Sequence, residues 1–332
     1  MQKSRITKRK RKSIIPIVVI LLVMLTFIGA TYAVSFYWKI QLATKVEYVS
    51  RSEPLIMTER MNLLLLAVDA PSLQEPARAD SIKVISIDPK EYTVNMISIP
   101  RDSYVAPAGF RPDDRIKINA INNPATNPLY GTDRLIETIE EIMGIKIHGF
   151  AKINFNGFID VIDSIGGMDI YVEENMYKDG KDFKIDIKKG LHHLNGENAL
   201  KYVRYRSNQY GDWAPAKEGV VRDRTGRQTK FIKAVIKEAT KPSNWGNSSV
   251  AIEAITKNIL TDIPMAEIWT FADILRHVKP DSIKDIPFPA TYGDAPGFYY
   301  KNGERIDTII KIVEPDLKKL KKLGQEYFSD EQ

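Results

Sequence analysis

Residues Ile14 to Ala33 form a run of twenty residues without a charged side chain, which restricts the possible folds more than any other feature. An apolar helix of this length crosses the hydrocarbon core of a bilayer. Seven basic residues precede the run, and basic flanks stay on the cytoplasmic side. We therefore expect a cytoplasmic basic tail over 1–13, a transmembrane anchor over 14–37, an extracytoplasmic tether over 38–60 and a globular domain over 61–325.

A cleaved signal peptide is the alternative interpretation of the same segment. Its apolar region would be shorter, about 7–15 residues, and would end at a cleavage site made of small residues. Residues Ala30 to Ala33 match such a site poorly. We therefore favour a protein of the cell membrane with a single pass, a cytoplasmic N-terminus and an extracytoplasmic domain.

Charge and composition exclude several functional classes. The formal net charge is +6, but the seven basic residues of the tail account for it, and the rest of the chain is close to neutral. We therefore expect no nucleic-acid partner for the globular domain. Cysteine is absent and only four histidines occur, so thiol catalysis and thiolate zinc sites are excluded.

Hydrophobic patterning predicts an α/β fold, an α-β-α sandwich with a central mixed sheet that follows the single transmembrane helix. Met61–Val68 is a continuous apolar run, typical of a strand buried on both faces. Ser81–Asp88 and Thr93–Ile99 are β-branched runs around a turn and predict adjacent strands. The β-α-β pattern of the next segment predicts a sheet with crossover helices. The remaining expectations are a helix from Thr132 to Gly144, a strand near 147–153, a helix over 154–165, a strand at 168–172, a short helix after Asn195, helices over 224–239, 248–260 and 264–276, a strand near 282–288 and a helix near 304–323.

Arginines and aspartates recur in four short clusters of the predicted domain. Guanidinium groups bind phosphate oxygens in pairs, so several of them suit a pyrophosphate. Two nearby carboxylates suit Mg²⁺, which takes one or two carboxylates together with substrate phosphates. The pattern predicts a lipid or nucleotide pyrophosphate as substrate, and the membrane anchor favours the lipid. The clusters are Asp69; Arg78 with Asp80; Arg101 with Asp102; and Arg204 and Arg206 with Arg224 and Arg227.

Arg224 and Arg227 lie three residues apart in the first turn of a predicted helix. The N-terminus of a helix is already positive, so arginines there are unfavourable unless an anion is bound. Arg78 with Asp80 and Arg101 with Asp102, each taken alone, favour structural ion pairs that fasten loops to the sheet, whereas the four clusters together favour a ligand site. The long segment 207–221 between Arg206 and Arg224 is typical of a functional lid.

With these residues in place, the chain resembles the LytR-CpsA-Psr family of bacterial cell-wall ligases. The match is strongest over 62–239. The motifs that carry it are Asp69 after an apolar strand, Arg78-Ala79-Asp80-Ser81, Ser98-Ile99-Pro100-Arg101-Asp102, Lys117-Ile118-Asn119-Ala120, Asn154-Phe155-Asn156-Gly157-Phe158, Asp163 to Gly167, Leu194-Asn195-Gly196, Val203-Arg204-Tyr205-Arg206 and Arg224 with Arg227-Gln228.

The resemblance implies a phosphotransferase that moves an anionic glycopolymer, such as wall teichoic acid or capsular polysaccharide, from a polyprenyl-pyrophosphate carrier onto peptidoglycan. It implies that Asp69 and Asp80 hold Mg²⁺, or Mn²⁺. We expect Arg101 and Asp102 to be catalytic, with Asp102 as a general base or, as we favour, orienting Arg101. The arginines that the resemblance assigns to the pyrophosphate are Arg78, Arg101, Arg204, Arg206, Arg224 and Arg227.

Two other functions fit the same residues. One is a polyprenyl-pyrophosphate hydrolase that uses water as acceptor. The other is a membrane-tethered regulator of the cell envelope that binds the lipid pyrophosphate without turning it over. The paired carboxylates disfavour the regulator, because binding alone needs arginines but no metal.

Overall fold

The computed structural model describes residues 57–180, 184–206, 224–239, 258–301 and 304–330. All of them belong to one compact unit over residues 46–332. The predicted tail, the anchor and most of the tether lie outside the described residues, as does the predicted lid over 207–221. No helix within the described ranges is long and apolar enough to cross a membrane.

A six-stranded mixed sheet forms the centre of the fold, in the order β11–β6–β1–β2–β3–β12. Strand β1 is antiparallel to β2 and parallel to β6, and β3 is antiparallel to β2 and parallel to β12. This confirms the predicted α/β class with a central mixed sheet. The six strands are β1 (Met61–Val68), β2 (Ala79–Asp88), β3 (Thr93–Ile99), β6 (Gly149–Asn154), β11 (Ile259–Thr261) and β12 (Ile283–Ile286).

Five of the seven helices in the described residues lie close to their predicted positions, whereas the helix at 118–121 was not predicted and the last helix begins later than expected. Gly144 ends the second helix in the left-handed conformation, with φ at 65°, which glycine adopts without steric cost. Asn154 and Asn195 cap the next two helices with their side-chain oxygens. The helices are α1 (Ile118–Ile121), α2 (Thr132–Met143), α3 (Phe155–Ser164), α4 (Gly196–Arg204), α5 (Arg224–Ala239), α6 (Met265–Leu275) and α7 (Leu317–Tyr327).

Helices cover both faces of the sheet, because alternate residues of each strand point to opposite faces. On one face, Leu64 and Leu66 pack in a core with side chains of α2 and α7. On the other face, Met61 and Leu63 pack in a core with side chains of α6, and Ile232 of α5 joins it. Burying both faces is the reason why β1 reads as a continuous apolar run.

Four short strands build a smaller unit beside the main sheet. They are β7 (Met168–Val172), β8 (Met176–Asp179), β9 (Lys184–Ile187) and β10 (Gly190–Leu194), and they pair as β7 with β10 and β8 with β9. Their core contains Tyr202 of α4 and Phe231 of α5. The predicted β-α-β unit is therefore wrong in one respect, because β6 and β7 lie in different sheets.

A long hairpin replaces part of the predicted helix near 304–323. Strands β13 (Ala290–Lys301) and β14 (Glu304–Pro315) pair antiparallel along their whole length, and only α7 is helical. The spacing of Ile306, Ile309, Ile310 and Val313 follows the helical period, but pairing with β13 makes the segment a strand. The predicted helix near 248–260 is also wrong at its end, where β11 forms; residues 248–257 lie outside the described residues.

Two short strands complete the fold next to the hairpin. Strand β4 (Tyr104–Val105) pairs with β5 (Ile116–Lys117), and Ser103 forms a bridge with Val313 of β14. The segment after β3 is therefore joined directly to the hairpin.

Candidate functional site

The ends of β1, β2 and β3 bring three of the predicted clusters to one edge of the sheet. Because β2 is antiparallel to both neighbours, its first residues lie beside the last residues of β1 and β3. Val68 pairs with Ala79, and Ile82 pairs with Ile99. This register makes Asp69, Asp80 and Arg101 neighbours at one edge of the sheet, although 32 positions in the sequence separate Asp69 from Arg101.

A β-bulge presents Asp80 at this edge. Ala67 pairs with Ser81 and Val68 pairs with Ala79, so Asp80 is left without a partner on β1. Bulges of this kind bend the strand and redirect a side chain, and they are frequent beside active sites. The carboxylate of Asp80 is consequently positioned by the sheet itself.

Two arginines converge on Asp80 from different elements. Nη1 of Arg101, just after β3, donates to Oδ1 of Asp80 at 2.7 Å. Nη2 of Arg224, the first residue of α5, donates to the backbone oxygen of Asp80 at 3.0 Å. Arg224 is only 8% exposed. The two guanidinium groups therefore meet at one residue, Arg101 at the carboxylate of Asp80 and Arg224 at its backbone oxygen.

Asp102 extends this arrangement by a second carboxylate. Its Oδ2 lies 3.7 Å from Nε of Arg101, and its Oδ1 accepts a hydrogen bond from Nζ of Lys117 at 2.7 Å. Positive and negative groups thus alternate from Asp80 through Arg101 and Asp102 to Lys117. Each side chain is about a quarter exposed, so a ligand can reach the chain of charges from solvent.

Polar contacts hold the first turns of α5 against β2. Ser81 donates to Oε1 of Gln228 at 3.0 Å, and Nζ of Lys83 donates to Thr229 at 2.9 Å. Lys83 is 2% exposed and also donates to Ser98 on β3. These contacts fix the position of Arg224 relative to the sheet, because they join α5 to both β2 and β3.

A cavity of about 60 Å³ opens over this group of residues. Its floor is formed by the strands, one wall by α5 and the opposite wall by the hairpin. Asp80, Arg101, Asp102 and Arg224 all line it, so the structure brings four of the predicted site residues to one cavity. The other lining residues are Ser81, Ile82, Ser98, Ile99, Pro100, Gln228, Tyr292, Lys311, Ile312 and Val313.

The remaining predicted site residues do not line this cavity. Asp69 and Arg78 are exposed beside it, and Arg206 is partly exposed. The guanidinium group of Arg204 lies 4.2 Å from the ring centroid of Phe155, directly after β6. For these four residues, binding of the pyrophosphate or of a cation remains a prediction.

Arg227 has a structural environment. It is 1% exposed, its Nη2 donates to the backbone oxygen of Tyr205, and its guanidinium group lies 5.2 Å from the centroid of that ring. In this structure it therefore joins the end of α4 to α5.

Asp69 and Asp80 are the residues that could hold a divalent cation, with a phosphate completing its coordination. Both carboxylates stand at the joined ends of β1 and β2, and Mg²⁺ is commonly held by one or two carboxylates with substrate oxygens. Among the described residues, no group of three or more histidines, aspartates and glutamates is arranged to hold a metal. The donor set suits a cation bound together with substrate better than a cage made by protein alone.

Several residues of the site had no assigned role in the sequence interpretation. Lys117 is the first residue of the Lys117-Ile118-Asn119-Ala120 motif, and its place in the site becomes visible only through its hydrogen bond to Asp102. Lys152 does not line the cavity; it lies two residues from the end of β6 and donates to Thr132 at 3.2 Å. Burial lowers its pKa, and the charge of Asp133 partly opposes this. Tyr292 and Lys311 carry no local signal, because only the hairpin brings them to the cavity.

Comparison with known proteins places the chain in a family. Residues 23–323 match the LytR_cpsA_psr family. The polyisoprenyl-teichoic acid–peptidoglycan teichoic acid transferase TagV of Bacillus subtilis (strain 168) is 32% identical over 225 residues, which are 65% of this chain and 54% of TagV. The chain thus spans about half the length of TagV. The corresponding transferase TagU of Bacillus anthracis (strain CDC 684 / NRRL 3495) is 29% identical over 262 residues, 76% of this chain and 75% of TagU.

Solved structures agree with these relationships. The crystal structure of B. subtilis TagV has a TM-score of 0.65 and 28% identity, and the match covers 83% of this chain and 99% of that chain. The structure of TagT bound to LI-WTA has a TM-score of 0.61 at 23% identity, with coverage of 85% and 95%, and it shares the fold. Because the family match covers most of its length, the chain belongs to the LytR_cpsA_psr family.

Proposed function

We propose that this protein transfers an anionic glycopolymer, of the wall teichoic acid type, from a polyprenyl-pyrophosphate carrier to peptidoglycan. The observation that carries the proposal is the convergence of Arg101 and Arg224 on Asp80 in a cavity at the edge of the sheet. The names of the relatives TagV and TagU as teichoic acid transferases support the same activity.

The reaction is a substitution at phosphorus. A hydroxyl oxygen of the acceptor sugar forms a bond to the phosphorus that carries the glycopolymer. The bond from that phosphorus to the bridging oxygen breaks, polyprenyl phosphate leaves with the electron pair, and the hydroxyl proton passes to solvent or to a base. The product is a phosphodiester between the glycopolymer and peptidoglycan.

Arg101 and Arg224 act in this reaction by binding the pyrophosphate oxygens. Their donors are held in place by Asp80 before substrate arrives, so little reorganisation is needed as charge develops on the leaving phosphate. Asp102 is a positioning residue, since it lies between Arg101 and Lys117 and fixes the direction of the Arg101 guanidinium group. Lys117 neutralises Asp102 and limits its repulsion of the incoming anion.

A divalent cation held by Asp69 and Asp80 would neutralise charge on the phosphate oxygens and on the leaving group. Mg²⁺ fits best, and Mn²⁺ prefers the same oxygen ligands. The protein residues have a separate task. They bind the pyrophosphate and hold its phosphorus in line with the acceptor oxygen.

Membrane anchoring by residues 14–37, with the domain outside the cell, is part of the proposal. The family match begins at residue 23, inside the uncharged run. Both substrates are consistent with this location, because the lipid carrier lies in the membrane and peptidoglycan lies outside it.

The test uses the full chain in detergent micelles, a synthetic polyprenyl-pyrophosphate-linked glycopolymer and peptidoglycan strands that lack it. Release of polyprenyl phosphate and attachment of glycopolymer are measured together. Equal amounts of release and attachment are expected. Release without attachment would identify a hydrolase, and tight binding of the donor without release would identify a binding regulator; either result would overturn the proposal.

A further inference from the structure

The β13–β14 hairpin carries an exposed strip of side chains that begins at the cavity and has no role so far. Directly paired residues of antiparallel strands share a face, and alternate pairs share the same one. Tyr292 pairs with Val313, Asp294 with Lys311, and Pro296 with Ile309. We call the exposed residues Tyr292, Asp294, Ile309 and Lys311 the hairpin strip.

The strip has a mixed aromatic and polar character. Tyr292 is 60% and Ile309 is 67% exposed. Between them, Lys311 and Asp294 form an ion pair at 2.8 Å on the surface. An exposed aromatic ring offers a flat apolar face, and the adjacent ion pair offers donors and acceptors side by side. This combination suits a sugar ring, which has an apolar face and a rim of hydroxyl groups that donate and accept.

The strip is attached directly to the candidate site. The backbone N–H of Val313 donates to the backbone oxygen of Asp102 at 2.9 Å. Arg115 forms an ion pair with Glu314 of the same strand at 2.5 Å. Tyr292 and Lys311 line the same cavity as Arg101 and Arg224. A ligand that occupies the strip therefore reaches the phosphate site without crossing other structure.

Position along the sheet edge distinguishes the two sugar-bearing substrates. Arg204 lies beside β6, Arg224 contacts β2, and Arg101 follows β3, so these arginines follow the sheet edge from β6 to β3. The hairpin meets the edge at the segment after β3, where Ser103 forms a bridge with Val313. In-line substitution places the attacking and leaving oxygens on opposite sides of phosphorus. The anionic donor matches the row of arginines, which leaves the hairpin side of the cavity for the attacking sugar.

We infer that the hairpin strip binds the glycan strand of peptidoglycan, the acceptor, and directs its hydroxyl group into the cavity. This inference rests on the proposed function for the identity of the acceptor. The pairing of Lys311 with Asp294 keeps the strip nearly neutral, which suits a sugar backbone better than the polyanionic donor.

The experiment compares Tyr292→Ala, Tyr292→Phe and the wild type, all as the full chain in detergent micelles. Initial transfer rates are measured while the concentration of peptidoglycan strands or of donor is varied. Loss of the ring should raise the KM for acceptor about threefold to tenfold, the scale of one aromatic contact, and leave the KM for donor unchanged. Tyr292→Phe keeps the ring and should resemble the wild type.

Tyr177→Ala is the matched control, because Tyr177 is 58% exposed on β8, away from the cavity lining. It should change neither KM. An unchanged acceptor KM in Tyr292→Ala would overturn the inference, and so would a raised donor KM, which would assign the strip to the donor glycan.

Binding of free peptidoglycan strands, without donor, separates this inference from the proposed function. Tyr292→Ala should weaken that binding by the same factor even if the protein proves to be a hydrolase. Weakened binding without any transfer by the wild type would contradict the proposed function alone. Equal binding by Tyr292→Ala, Tyr177→Ala and wild type would contradict the hairpin strip alone.

Discussion

Replacing Arg101 by alanine should reduce transfer far more than it reduces stability. The side chain is 23% exposed and bonds to Asp80 at 2.7 Å, so its donors are positioned before substrate binds. Loss of one positioned donor to a developing negative charge costs about 2.7–4 kcal/mol, or about 10²- to 10³-fold in kcat. The same change exposes the pyrophosphate to the charge of Asp80, which acts in the same direction.

The effect on stability should be smaller, because the Arg101–Asp80 pair remains in contact with solvent. Partly exposed ion pairs contribute about 1 kcal/mol or less. Urea unfolding of the full chain, followed by circular dichroism, measures this contribution. Arg101→Lys keeps the charge but loses the planar fork, so it should recover only part of the activity.

Arg111→Ala is the matched control for this prediction. Arg111 also forms an ion pair with an aspartate, Asp114, at 2.8 Å, but its side chain is 83% exposed and does not line the cavity. Transfer should stay within about twofold of the wild type, because exposed ion pairs contribute little. One positioned donor should account for a loss of at least about 100-fold, so a folded Arg101→Ala variant that retains more than about a tenth of the wild-type transfer rate would refute this role of Arg101. An equal loss of transfer rate in Arg111→Ala would refute it as well.

Three further changes test other parts of the account. A Cβ atom at Gly196 would lie 2.3 Å from the backbone oxygen of Ile159, so Gly196→Ala should destabilise the protein by about 1–3 kcal/mol in urea unfolding; an unchanged midpoint would contradict the close packing of α3 and α4. Hydrogen bonds to Asp169 and to the Gly166 oxygen raise the pKa of His193. The contribution of protonated His193 to stability is therefore complete below about pH 6.5 and is lost as the pH rises through the folded pKa. Asp169→Asn should remove most of this pH dependence in thermal unfolding, and an unaltered pH profile would contradict the role of the His193–Asp169 pair. EDTA should abolish transfer and Mg²⁺ should restore it, and full activity in EDTA would exclude the divalent cation at Asp80.

Local patterns predicted most elements of the central sheet closely, except β11, which lies where the end of a helix was predicted. The observed bounds of β1, Met61–Val68, and of α5, Arg224–Ala239, are those expected from the sequence. A continuous apolar run and a helical stripe each identify an element, because burial on one or both faces imposes a period on the sequence. Motif order carried the family resemblance, and the match over residues 23–323 confirms it.

Misleading periodicity explains the main error in the predicted fold, which is the helix expected near 304–323. Residues 304–315 carry isoleucine spacing that suits a helix, yet they form β14. A strand in a two-stranded hairpin is stabilised by its partner, and the partner β13 lacks a clear strand pattern because it contains Gly293, Pro296 and Gly297. The local sequence pattern therefore does not predict the pairing of β13 with β14.

The candidate site shows the same division. The sequence by itself determined the residue types, with arginines for phosphate and carboxylates for a cation, and it placed Arg101 and Asp69 at strand ends. Only the tertiary structure decided which of them meet. The bulge at Asp80, the docking of α5 on β2 and the hairpin wall bring Asp80, Arg101 and Arg224 to one cavity, whereas Arg227 is buried against Tyr205. The physical reason is that these contacts join residues distant in sequence, such as Asp80 with Arg224 and Ser81 with Gln228, which are 144 and 147 positions apart. Strand register and helix docking, which local periodicity does not encode, set their distances.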